Sequence, residues 1–92
     1  MARPPRIQVA GGVYHVTARG VRGVPMFLHD DDRMVWIATL AATCGRTGWK
    51  VHAYVQLGNH YHLVVETPNA NLVAGMAWLQ STYTIRLNPG TN

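Results

Sequence analysis

From His60 to Thr67 the chain reads His-Tyr-His-Leu-Val-Val-Glu-Thr, and polar and apolar residues sort by parity along most of it. Successive side chains of a β-strand point to opposite faces. A strand here puts Tyr61, Leu63 and Val65 on one face and His60, His62, Val64 and Glu66 on the other. The first set is wholly apolar or aromatic and must be covered. The second carries two imidazoles and a carboxylate and suits an open surface. A strand of this kind belongs in a sheet packed on a single side, with helices against the Tyr61 face.

The rest of the chain supplies the partners. Residues 1–11 hold Arg3, Pro4-Pro5, Arg6 and Gly11 and read as a basic arm. Val13 to Arg19 alternates and is rich in β-branched and aromatic residues, which predicts a strand with Tyr14, Val16 and Ala18 inward and His15, Thr17 and Arg19 outward. Gly20 to Leu28, with Pro25, reads as a loop. Asp30-Asp31-Asp32 then opens a helix to about Arg46, one Asp serving as N-cap and the others facing the positive end of the helix dipole. Gly45 and Gly48 are its stop signals. Lys50 to Leu57 alternates again, with Val51, Ala53, Val55 and Leu57 expected inward and His52, Tyr54 and Gln56 outward. Gly58-Asn59 is a hairpin-type dipeptide leading into the histidine strand. Asn69 or Asn71 caps a second helix, whose stripe is Leu72, Met76, Leu79, Tyr83 and Leu87.

Strand, helix, strand, strand, helix is the start of the split βαβ, ferredoxin-like arrangement, an α+β fold. Residues 1–92 make one domain. The expected last strand is not read in the sequence, so the first strand is expected to form a sheet edge open to pairing. A single cysteine, Cys44, excludes an intrachain disulfide framework and a cysteine-built zinc site. No apolar run approaches the length of a membrane span, and no apolar segment follows the N-terminal charges as in a signal peptide. The expected location is the cytoplasm.

On this reading four of the five histidines share one sheet face with Arg19, Gln56 and Glu66. His-x-His on a strand sets two imidazoles side by side, with Cα atoms roughly 7 Å apart, a spacing that suits two ligands of one metal. A hydrogen-bonded surface pair reads equally well from spacing alone. Charge adds a second constraint. Three of the four acids are Asp30–Asp32, so only Glu66 opposes the remaining basic surface of a chain with formal charge +4. Seven of the eight cations are Arg, whose planar fork matches phosphate. A polyanion, nucleic acid first, is the partner this balance suits.

At Asn59-His60-Tyr61-His62-Leu63-Val64-Val65-Glu66-Thr67-Pro68 the sequence resembles the REP-associated tyrosine transposases, within the single-tyrosine HUH transposases. HUH denotes His, a hydrophobic residue, His; Tyr61 fills the middle slot. The resemblance extends to Met1-Ala2-Arg3-Pro4, Val13–Gly20, Asp30–Arg33, Gly48–Tyr54, Asn69–Leu72, Gly75-Met76 and Tyr83-Thr84, and so runs to about residue 88. It implies a ferredoxin-like sheet with the HUH pair on a central strand and binding of hairpin or single-stranded DNA. It also implies Mg²⁺ or Mn²⁺ held by His60 and His62, polarising the scissile phosphate as a Lewis acid. A tyrosine hydroxyl then attacks phosphorus to give a 5′-phosphotyrosine and a free 3′-OH. The resemblance further implies a homodimer, at the nucleoid.

One feature departs from that family. Its nucleophilic tyrosine lies in a Tyr-Ile-His-x-Asn-Pro-like motif well beyond the HUH strand, and no such motif follows here. The sequence is expected to represent the amino-terminal part of such a domain. Tyr83 is the weak remaining candidate for nucleophile, competing with its reading as a core residue on the apolar stripe. Arg19, Arg22, Arg3 and Arg6 are candidate phosphate contacts. His15, His52 and Glu66 are candidates for support around the metal pair. Three functions stay open: a metal-dependent single-strand endonuclease or transposase, a catalytically inactive DNA-binding remnant of one, and a small zinc-binding protein.

Overall fold

The computed structural model describes residues 8–20 and 26–87. The elements run β1 (Gly12–Arg19), α1 (Asp30–Thr47), β2 (Lys50–Gln56), β3 (His60–Thr67) and α2 (Leu72–Leu87). The three strands form one antiparallel sheet in the order β1-β3-β2, so the histidine strand is central. Among the described residues β1 and β2 are the edges. This is the expected α+β, ferredoxin-like arrangement.

β3 alternates as its sequence requires, with Tyr61, Leu63 and Val65 at 1% exposure or less. They form the floor of the core, together with Val16, Ala18, Trp36, Leu40, Leu72, Leu79 and Tyr83. Trp36 of α1 lies over Tyr61 with ring centres 4.7 Å apart. On β1, Val16 and Ala18 turn inward while His15, Thr17 and Arg19 are exposed.

β2 departs from strict alternation. The register with β3 slips between Val51 and Ala53, a β-bulge. Two residues then oppose one, and every later side chain changes face. Ala53 and Val55 lie opposite Val64 and His62 on the open face, while Tyr54 and Gln56 lie opposite Leu63 and Tyr61. Tyr54 packs on Trp36, and Gln56 exchanges hydrogen bonds with the Arg33 backbone and guanidinium. The expected outward placement of Tyr54 and Gln56, and the inward placement of Ala53 and Val55, are thus reversed.

Two helix caps also differ from expectation. The N-cap of α1 is His29, with all three aspartates in the first turn. Asp32 accepts from the backbone N–H groups of Leu28 and His29, so its carboxylate holds the helix entry from inside. At α2 the side chains of Asn69 and Asn71 turn the other way: both donate to the Thr47 carbonyl, and Asn71 Oδ1 accepts from Trp49 Nε1. The free N–H of Val73 is taken by Gln8 Oε1 at 2.8 Å. Of the two expected stops for α1, Gly48 ends the helix, with φ 78° and its N–H on the Cys44 carbonyl, whereas Gly45 lies inside it.

Candidate metal and phosphate face

Because β3 is central, each outward histidine has a neighbour on β1. Arg19 lies opposite His60, and Thr17 lies opposite His62. The rings of His60 and His62 are 5.2 Å apart at their centres and meet nearly edge to face. Two imidazoles bound to one ion through nitrogens about 2.1 Å away have ring centres about 4.5–5.2 Å apart for angles of about 90–110°. The observed spacing is at the upper end of that range, and it equals the 5.2 Å of the hydrogen-bonded His15–His62 pair. Among the described residues no group of three or more His, Cys, Asp or Glu side chains gathers to hold a metal. An ion on this pair would have to take its other ligands from water or from a phosphate.

Each imidazole is held at Nδ1. His60 Nδ1 is 2.8 Å from Asn59 Oδ1. His62 Nδ1 is 3.0 Å from Thr17 Oγ1 and 3.1 Å from His15 Nε2. The pKa of His60 is pushed below its ordinary value by loss of solvent, then by the positive charges of Arg19 and His62. A neutral ring is the form that ligates a metal.

The other expected residues sort by place. Arg19 is exposed on this face, across from His60. His15 contacts His62 directly. His52 and Glu66 are on the same face but pair with each other at 3.1 Å, so the carboxylate is engaged away from the two-histidine pair. Arg3, Arg6 and Arg22 lie outside the described residues.

Tyr83 is not brought to this face. It is 6% exposed, packs against Phe27, and donates its hydroxyl to the Met26 carbonyl at 2.8 Å. Burial, then the Asp32 carboxylate, push its pKa up to about 12 against the pull of Arg33. A nucleophilic hydroxyl needs the opposite environment. The remaining tyrosines do not replace it. Tyr61 is buried, Tyr54 packs on Trp36, and Tyr14, opposite core residue Val65, lies within reach of the Val9 N–H. None of the four tyrosines, all described, stands on the histidine face.

Two residues of the face carry more than their sequence suggested. Thr17 was one outward position among several, and Asn59 a turn residue. Lys50 also belongs here, opposite Glu66.

No family model matches the chain, and no curated protein sequence does. Among solved structures, a REP-associated tyrosine transposase bound to a REP hairpin aligns with a TM-score of 0.85 at 14% identity, over 96% of this chain and 54% of that one. The chain spans about half the length of that protein's chain, and the two share a fold.

Proposed function

We propose that this chain binds hairpin or single-stranded DNA on its open sheet face, as the metal- and phosphate-binding part of an HUH-type transposase. The observation that carries this reading is the His60–His62 pair at 5.2 Å on a central strand, with Arg19 directly across from His60. The structural likeness to a hairpin-bound transposase supports it. His60 and His62 would hold Mg²⁺ or Mn²⁺, which supplies Lewis acidity to a bound phosphate. Arg19 adds positive charge beside it, and Thr17, His15 and Asn59 orient the rings. The covalent step is assigned to none of these 92 residues, because every tyrosine in them faces elsewhere. Strand cleavage through phosphotyrosine requires a hydroxyl brought from outside them.

A labelled hairpin oligonucleotide library on native gels, with and without Mn²⁺, tests the proposal. Retention should weaken as salt rises, as phosphate contacts release counterions. Mn²⁺ should strengthen it, His60→Ala should abolish that strengthening, and Arg19→Ala should reduce both retention and its salt slope. Denaturing gels should show no protein-linked DNA. No retention at low salt, or retention indifferent to both substitutions, contradicts the proposal. So does zinc binding at the pair without any DNA affinity.

A further inference from the structure

A histidine that ligates a metal through one nitrogen must carry its proton on the other, and the group bonded to that other nitrogen sets the choice. The two histidines of the pair differ in this respect. The contacts of His62 Nδ1 are a hydroxyl and an imidazole, and both of those groups donate or accept. They hold the ring without fixing its proton. His60 Nδ1 meets only a side-chain amide oxygen, Asn59 Oδ1, at 2.8 Å. An amide oxygen accepts and never donates, so with the amide oxygen turned to the ring a neutral His60 would carry its proton on Nδ1 and its lone pair on Nε2.

The backbone that carries this acceptor is anchored. The Asn59 carbonyl accepts from the Gly20 N–H at 2.9 Å, which ties it to the end of β1. The neighbouring Gly58 carbonyl accepts from both Met26 and Phe27 at 3.0 and 3.1 Å, and Leu57 N–H closes the turn onto the His60 carbonyl. The turn is pinned on both sides, so the Asn59 side chain starts from a fixed backbone. Neither Gly58 nor Asn59 takes a left-handed φ, so Asn is not required there by backbone conformation.

We infer that Asn59 is a positioning residue: its amide oxygen holds His60 in the Nδ1–H tautomer and leaves Nε2 as the ligating atom. The inference rests on the proposed metal site for its purpose but not for its test. Free histidine in water favours the opposite, Nε2–H form, which makes the effect visible without any metal.

Long-range ¹H–¹⁵N NMR on metal-free protein, at a pH where the ring is neutral, reads the tautomer of each histidine. The wild type should show Nδ1–H at His60. Asn59→Ala should return that ring to mainly Nε2–H and leave His62 as it was. Asn59→Asp keeps an acceptor and should keep the wild-type tautomer. Mn²⁺ titration followed by electron paramagnetic resonance should show affinity lower by roughly tenfold or more in Asn59→Ala, and restored in Asn59→Asp. An Nε2–H signal at His60 in the wild type overturns the inference, as does an unchanged tautomer in Asn59→Ala. If wild-type protein binds no Mn²⁺, the proposed metal function falls, and the tautomer measurement still decides the role of Asn59.

Discussion

At the scale of single residues, the molecule separates two kinds of polar side chain that the sequence presents alike. The imidazoles of His60 and His62 are on open surface with partners at Nδ1, whereas the hydroxyl of Tyr83 is enclosed and already donates to a carbonyl. Tyr83 therefore belongs to stability. Its pKa rises from 10.0 to about 12 on folding, so the unfolded chain ionises first. The stabilising contribution is full below about pH 10 and is lost as pH rises from there to about 12. Alkaline titration at the phenolate absorbance should show late tyrosine ionisation that coincides with unfolding, and Tyr83→Phe should remove part of it. Loss of the Met26 hydrogen bond should lower stability by about 0.5–1.5 kcal/mol. Early, reversible ionisation of Tyr83 in folded protein would contradict this placement.

Elements show where periodicity suffices and where it fails. β3 was legible as a strand, because its eight positions alternate and Tyr61, Leu63 and Val65 make an apolar face; the fourth inward residue, Thr67, is polar yet fully buried. β2 was legible as a strand but not in its faces, since the bulge beside His52 involves neither Gly nor Pro and no sequence signal flags it. The buried face of α1 was hidden for another reason. It runs through Trp36, Thr39, Leu40 and Thr43, and the threonine hydroxyls satisfy themselves on carbonyls one turn back. Ala38 and Ala41, apolar residues of the same helix, are exposed. The packing of α2 against the start of β2 depends on Gly75. A methyl there would overlap the indole of Trp49, which is 4% exposed and tied by Nε1 to Asn71. Gly75→Ala should cost about 1–3 kcal/mol by thermal melting. Gly45→Ala in α1 meets open space and should gain up to about 1 kcal/mol from helix propensity. Equal effects at the two glycines would contradict the packing described.

For the whole molecule, charge and topology converge on one surface. The helices cover the Tyr61 side of the sheet, and several cations are spent there: Arg33 lies over Phe27, Arg46 over Trp78, and Arg86 donates to Thr39. Arg19 and Lys50 remain on the open side with the histidines. Sequence parity identified that side and most of its members, and it could not supply the cross-strand register that puts Arg19 against His60 and Thr17 against His62. The cluster of acids is the first turn of α1, Asp30–Asp32, whose side chains do not gather as a metal-holding group and whose Asp32 is engaged by backbone N–H groups. Paramagnetic broadening of backbone amide signals by substoichiometric Mn²⁺ separates the two most directly. Broadening centred on His60, His62 and Thr17, and lost in His60→Ala, is the result expected from a metal site on the histidine face. Broadening centred on Asp30–Asp32, or unchanged by His60→Ala, would contradict it.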